Sequence, residues 1–350
     1  MQPLFLGLAG LALNDDERAL FRAANPAGYI LFKRNVDSPD QVRALTQSLR
    51  DLAGRNVPIL IDQEGGRVAR LRPPHWPEFP TGERFGLLYY KAPITAIEAC
   101  RLNALALAAL LKDLGINVDC LPLLDVRDTQ GHDIIGDRSF STEPMVVSAL
   151  GKAVLDGFRA GGICGVVKHI PGHGRARADS HLELPVVTAS REDLERDFEP
   201  FRRLADAPMA MTAHITYTAL DAARCATLSP DVIDFIRQDI GFGGLLMSDD
   251  LGMHALGNPQ SGGHPPGSNA LQDFGARALA SLDAGCDIAL HCSSNFNEMR
   301  SIVEAAPVMS DAAATRLAAA MAWMGSGEAR GDSTPVTEWA AARDALLALA

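Results

Sequence analysis

The chain has 350 residues, of which 47% are hydrophobic and 21% charged, with a formal net charge of −11 at pH 7. That composition fits an ordinary globule holding one large α/β domain or two to three small ones. The acidic balance and the lack of a long basic tract argue against general affinity for nucleic acid or an anionic membrane, which leaves a small molecule as the expected partner.

The first apolar run, Pro3 to Leu13, has no basic residue before it and is followed by Asn14-Asp-Asp-Glu17. It reads as a buried strand and not as a signal peptide, so the expected location is the cytoplasm. No later run supplies the ~20 apolar residues of a membrane span. Short apolar runs then recur along the chain: Leu4–Ala9, Tyr29–Phe32, Val57–Ile61, Val118–Leu124, Cys164–Val167, Met209–Ala213, Leu245–Met247 and Asp287–His291. Helices lie between them. Ser38-Pro39 opens one that closes at Gly54, Thr142 opens one that closes near Gly161, and Ser229-Pro230 opens one that closes at Gly241. Continuous apolar strands alternating with helices indicate a parallel sheet covered by helices. Eight such units predict a single-domain (β/α)8 TIM-type barrel over 1–310, with an open doubly wound sheet as the alternative. Arg72–Thr81 is proline-rich, and Gly257–Asn269 reads as an insertion or a flap, insertion being preferred. Residues 311–350 predict alanine-rich helices packed on the barrel, around a break at Gly325–Thr334. The six cysteines (Cys100, Cys120, Cys164, Cys225, Cys286, Cys292) lack metal-type spacing and read as reduced core thiols.

Polar residues follow the strands: Lys33-Arg34-Asn35, Asp62-Gln-Glu64, Asp125, Lys168-His169, His214 and Asp249-Asp250. In a barrel these are the C-terminal strand ends, where active sites are built, so they are expected to converge. The loop from Lys168 to His181 holds three histidines, a lysine and an aspartate among Gly-Pro-Gly turn residues. Asp179 and His181, two residues apart, share a side in an extended stretch and suit a proton-transfer dyad, or else a turn in which Asp179 caps backbone N–H groups. Asp249 suits a carboxylate nucleophile or electrostatic stabiliser; the Asp249-Asp250 pair also suits a metal ligand pair or a helix N-cap for the segment starting at Leu251. Asp62 and Arg70, around the Gly65-Gly66 turn, either hold opposite sides of a polyhydroxylated ligand or form a structural ion pair. No G-x-G-x-x-G occurs, so no dinucleotide cofactor is expected. His169, His173, Asp179 and His181 form a possible metal cluster, but the first strand lacks His-x-His and no H-E-x-x-H occurs, so no metal is expected.

Ile61-Asp-Gln-Glu-Gly-Gly-Arg-Val68, Lys168-His-Ile-Pro-Gly-His-Gly174, Asp179-Ser-His181, Met211-Thr-Ala-His214 and Met247-Ser-Asp-Asp-Leu251 together resemble the bacterial β-N-acetylhexosaminidases of glycoside hydrolase family 3. The likeness runs in order from about residue 4 to 292. It implies a barrel that performs a retaining double displacement on terminal β-linked N-acetylglucosamine. Asp249 then matches the nucleophile, His181 the proton donor and acceptor, and Asp179 its partner. Asp62, Arg70, Arg138, Lys168 and His169 match sugar-binding positions; Arg138 lies in Gly136-Asp-Arg-Ser-Phe-Ser141. His214 is placed near the pocket without a chemical role. Relatives acting on glucosides follow the nucleophile's Ser-Asp with Trp and take their acid from a further domain. Here Asp250 replaces that Trp and the tail after Cys292 is too short for one, so the acid falls to the Asp179–His181 dyad. Ile170 stands where many members have Phe, and the 257–269 insertion is unusual for compact members. The resemblance implies a cytoplasmic, monomeric exo-β-N-acetylglucosaminidase that acts on muropeptides in cell-wall recycling without a cofactor. A phosphorylase and a non-catalytic glycan-binding barrel are the alternatives. The loop's turn-rich composition predicts that His181 reaches the sugar held by Asp249 only on closure, leaving the two apart without ligand.

Overall fold

The computed structural model describes residues 1–180, 182–256, 273–325 and 334–349. Eight parallel strands make one sheet: β1 Gln2–Leu6, β2 Pro26–Leu31, β3 Ile59–Ile61, β4 Val118–Asp119, β5 Cys164–Ile170, β6 Met209–Thr212, β7 Leu245–Met247 and β8 Ala289–His291. Neighbours run β7-β6-β5-β4-β3-β2-β1-β8, and a parallel bridge from Met247 to Ile288 brings the two ends together. The order is sequential around the ring, with no reversal. The fold is therefore the (β/α)8 barrel and not the doubly wound sheet.

Each apolar run in the sequence overlaps one of these strands, and seven of the eight pack apolar side chains on both faces. Phe5, Ile30, Leu60, Val118, Val166, Met209, Leu245 and Leu290 pack together inside the ring. Their neighbours Leu4, Tyr29, Ile59, Val167, Ala210, Leu246 and Ala289 pack outward with the helices. The period-2 alternation is therefore real but apolar on both sides, which is why the runs read as continuous. The run Val118–Leu124 yields only a two-residue strand, because the Leu121 N–H turns back to the Asp119 carbonyl at 2.8 Å and Pro122 has no N–H for the ladder; Leu123 rejoins as a single bridge to Lys168.

Helices α1 Asp15–Ala24, α2 Pro39–Ala53, α3 Gly82–Lys91, α4 Pro93–Asp113, α5 Pro144–Gly161, α6 Arg191–Arg203, α7 Pro230–Gln238, α8 Phe274–Asp283 and α9 Phe296–Ala305 surround the ring. The sequence punctuation acts as expected where side chains can reach. Ser38 and Ser229 accept the N–H groups of Gln41 and Val232 at the starts of α2 and α7, and Gly54 closes α2 in the left-handed region. One expectation needs correction: α4 is long and apolar enough to cross a membrane by length and composition. Its apolar surface is instead buried between α5 and α11 (Val336–Leu347), where Arg343 Nη1 donates to Asn103 Oδ1 at 2.9 Å.

The C-terminal helices have distinct tasks. α10, Asp311–Gly325, sends Ala313, Leu317 and Ala320 into the cluster that fills the barrel, next to Met309. The Met309 N–H donates to the Met1 carbonyl at 3.0 Å, so this helix seals the end of the barrel opposite the strand C-termini. The Gly257–Asn269 segment lies outside the described residues, as does most of the Gly325–Thr334 break.

Candidate active site

The site starts at the end of β3. Asp62 follows Ile61, and the chain then folds into a hairpin in which Gln63–Gly65 pairs with Val68–Ala69. The Gln63 side chain holds this turn: its Oε1 accepts the N–H groups of Arg70 and Leu71, each at 2.9 Å, and its Nε2 donates to the Leu71 carbonyl at 3.0 Å. Gly65 sits at φ +106°, where a Cβ would fall 2.3 Å from the Pro80 carbonyl oxygen, so only glycine lets the hairpin seat there. The turn returns Arg70 to Asp62, with Nη2 to Oδ2 at 2.9 Å.

Two further strands extend this pair into a chain of charges. Lys168, near the end of β5, places Nζ 3.0 Å from Asp62 Oδ1 and 2.6 Å from Glu64 Oε1. Glu64 in turn grips Arg138, from the loop after β4, by two bonds of 2.8 Å. The result is Arg138–Glu64–Lys168–Asp62–Arg70, three cations alternating with two carboxylates. Burial opposes every charge in the carboxylate–lysine core, but the neighbours outweigh it. Lys168 and Arg70 hold Asp62 well below the usual carboxylate range, Arg138 and Lys168 bring Glu64 down to about 2, and Glu64 and Asp62 push Lys168 above the usual lysine range. All therefore stay ionised at neutral pH. Fixed donors and acceptors of this kind can meet the polar groups of a ligand without reorganising.

A second cluster organises the histidines. The Lys168–His169 peptide is cis and the pairing with β6 slips between Lys168 and Ile170; both side chains line the cavity. Asp125, fully buried, accepts the backbone N–H groups of His169 and His173 on Oδ1 at 3.1 and 2.7 Å and meets His169 Nδ1 with Oδ2 at 2.8 Å. Burial would raise its pKa, but His169 and the surrounding donors bring it down to about 2. The carboxylate leaves His169 with Nε2 as its remaining ring nitrogen for a ligand.

On the far side, the Asp249 N–H donates to Thr212 Oγ1 at 3.3 Å and its Oδ1 accepts the Asp250 N–H at 2.8 Å. Asp250 is engaged differently: Oδ1 accepts the N–H groups of Gly252 and Cys292, each at 2.9 Å, which ties the β7 loop to β8. The capping reading thus holds for a turn, because no helix starts at Leu251. His214 lies behind the pocket. Its Nε2 meets the Asp250 carbonyl at 3.0 Å and its Nδ1 meets Thr227 at 2.7 Å, while burial pushes its pKa down.

Asp249, Asp62, Arg70, Arg138, Lys168 and His169 all line one cavity of about 370 Å3, within the range of small-ligand sites. Its walls also hold Glu64, His173, Ser180 and Phe32, whose ring lies between Arg34 and Arg70 at 5.0 and 4.9 Å. Asp179 is half-buried and does not line this cavity, although the next residue does. His181 lies outside the described residues, and with it the expected separation from Asp249. Among the described residues no three His, Cys, Asp or Glu side chains form a metal-holding group. In the sequence Glu64 and Asp125 carry no signal beyond their place at strand ends, and His173 none beyond that of a possible metal ligand in the loop after β5.

Residues 5–320 match the model of the glycosyl hydrolase family 3 N-terminal domain. The chain is 36% identical over 294 residues to a β-hexosaminidase of Nitrosomonas eutropha, covering 83% of this chain and 80% of that one. It is 37% identical over 298 residues to a β-hexosaminidase of Tolumonas auensis, covering 84% of each. Among solved structures, NagZ from Neisseria gonorrhoeae in complex with N-trifluoroacetyl-D-glucosamine superimposes with a TM-score of 0.83 at 28% identity, over 100% of this chain and 98% of that one. The β-N-acetylglucosaminidase of Paenibacillus sp. str. FPU-7 gives 0.84 at 28%, over 98% of this chain and 66% of that one. Barrel, cavity and these likenesses agree: the chain belongs to glycosyl hydrolase family 3, in its bacterial β-hexosaminidase branch, and is a glycoside hydrolase.

Proposed function

We propose that the chain is an exo-acting, retaining β-N-acetylglucosaminidase that frees terminal β-linked N-acetylglucosamine from peptidoglycan fragments, GlcNAc-1,6-anhydroMurNAc and its peptides, during cell-wall recycling in the cytoplasm. The observation that carries this reading is the shared cavity, which Asp249 lines together with Asp62, Arg70, Arg138, Lys168 and His169. The N-acylated glucosamine held by the Neisseria relative supports the choice of sugar. Six free, buried cysteines fit a reducing compartment.

In the proposed reaction an Asp249 carboxylate oxygen attacks the anomeric carbon while the bond to the aglycone oxygen breaks. Protonated His181 gives its proton to that oxygen. A glycosyl-aspartate results. Water then attacks the same carbon, neutral His181 takes its proton, and the Asp249 carboxylate leaves, which restores the β configuration. Asp179 holds the imidazole, and the cluster holds the sugar hydroxyls. Retaining glycosidases commonly use two carboxyl groups, so a histidine acid is the distinctive element.

Trapping the enzyme with a slow fluorinated N-acetylglucosaminyl donor and mapping the modified peptide should place the sugar on Asp249, and Asp249→Ala should abolish aryl N-acetylglucosaminide turnover. An active Asp249→Ala enzyme refutes the assignment. His181→Ala should lose most activity on poor leaving groups. Release of sugar 1-phosphate in phosphate buffer would replace hydrolysis by phosphorolysis, and failure to cleave purified GlcNAc-1,6-anhydroMurNAc would remove the peptidoglycan role.

A further inference from the structure

The base of the loop after β5 is held from several sides. Beyond the two N–H groups taken by Asp125, Tyr217 donates its hydroxyl to the Gly172 carbonyl at 2.7 Å, and Arg175 pairs with Asp197 at 2.6 Å. The Ala176 carbonyl accepts the His132 N–H at 2.7 Å. From Arg177 the chain moves outward: Arg177 is exposed and reaches Gln130 at 3.0 Å, while Ala178 and Asp179 are half-buried. Ser180 turns back in and is buried, with Oγ 3.1 Å from His173 Nε2.

His173 is itself unusual. It is 3% exposed, lies edge-on to His169 with ring centroids 5.4 Å apart, and its Nδ1 is buried without a hydrogen-bond partner among the described residues. Burial and the neighbouring His169 bring its pKa down to about 4, so the ring is neutral at pH 7. A buried imidazole with half of its bonding unmet is a poor core residue, since an apolar ring would fill the space without that cost. What the histidine adds is the bond to Ser180, the residue between Asp179 and His181.

We propose that His173 is a positioning residue for the chain that leads into His181, clasping Ser180 to the base anchored on Asp125. This rests on the reading of His181 as proton donor. The clasp acts through the dyad, so its loss should show most where a proton must be delivered.

The test compares kcat/KM, which reports the first chemical step, on phenyl and 2,4-dinitrophenyl β-N-acetylglucosaminides. The phenyl leaving group needs a proton and the dinitrophenyl group does not. With one hydrogen bond lost, His173→Ala and Ser180→Ala should each lower the phenyl value about ten-fold more than the dinitrophenyl value. The double variant should fall no further than the worse single one. His173→Gln, whose amide reaches the Nε2 position, should recover most of the loss; His173→Asn, which reaches only the Nδ1 position, should not. Equal losses on both substrates, additive losses, or recovery by Asn as good as by Gln would overturn the clasp. Ser180→Ala removes a single oxygen from a loop, and circular-dichroism melting confirms that it folds. His181→Ala is assayed beside them. If it too shows no leaving-group dependence, the acid reading falls and the clasp with it; if it shows the dependence while His173 and Ser180 variants do not, the clasp alone is rejected.

Discussion

Replacing Glu64 by glutamine keeps the side chain's shape and removes the charge that two buried cations share. Arg138 and Lys168 expose only 9% and 3% of their side chains. Lys168 retains Asp62, but Arg138 is left with the Ile134 carbonyl at 3.0 Å. The magnitude follows from the protonation equilibrium. The Glu64 pKa falls from 4.5 to about 2 in the folded protein, a stabilisation of about 3 kcal/mol at neutral pH. A depressed carboxylate contributes this fully above its unfolded value, near pH 4.5, and loses it as pH falls through about 2. Urea unfolding of parent and Glu64→Gln across pH 7 to 3 isolates the effect, since all other carboxylates titrate in both proteins. The stability difference should be about 3 kcal/mol at pH 7 and about half of that at pH 3. The same variant should lower kcat/KM by about ten-fold or more at pH 7, because Arg138 loses the partner that aims it. A stability difference that stays flat across this range, or a variant as stable as its parent at pH 7, refutes the charge chain.

Asp125→Asn should destabilise the fold by about 2–4 kcal/mol and raise KM, because an amide cannot accept from two N–H groups and a ring nitrogen as the carboxylate does; unchanged urea midpoint and KM would contradict this. Asp119 behaves oppositely: it is buried, its Oδ2 has no partner among the described residues, and burial pushes its pKa up to about 8 despite the Gln63 N–H and Lys168. Its raised pKa means stability is lost as pH rises through about 8, so Asp119→Asn should gain in melting temperature over its parent from pH 6 to 9; a gain that shrinks over that range sinks the assignment. Gly174→Ala would put a Cβ 1.7 Å from the Val126 carbonyl oxygen, so melting temperature and kcat/KM should both fall while far-UV circular dichroism keeps the barrel signature. An alanine variant with parental activity would show that the loop base is not tightly packed.

The barrel was legible because parallel strands buried on both faces leave continuous apolar runs, and its active end was legible because polar residues cluster where those runs stop. That rule locates a rim; it does not say which way a rim residue faces. His214 and Lys168 both follow or end a strand, yet Lys168 enters the cavity while His214 turns behind it to hold the Asp250 backbone. Gln63 and Glu64 are adjacent and similar in shape, but Gln63 closes a local turn and Glu64 meets Arg138, 74 residues away, so only long-range contact separates their tasks. α4 shows the same limit for packing: helices on two sides remove the polar stripe that would mark a soluble surface helix, and the segment then resembles a span. Asp249 and Asp250 are the sharpest case. Two identical side chains one peptide apart line one cavity, and Asp250's Oδ1 is taken by backbone N–H groups of two separate segments. That engagement holds the β7 loop against β8, while Thr212 takes the Asp249 N–H from β6. The register of β7 between its two neighbours, and no property of either aspartate alone, therefore sets which carboxylate is left to the cavity as the proposed nucleophile.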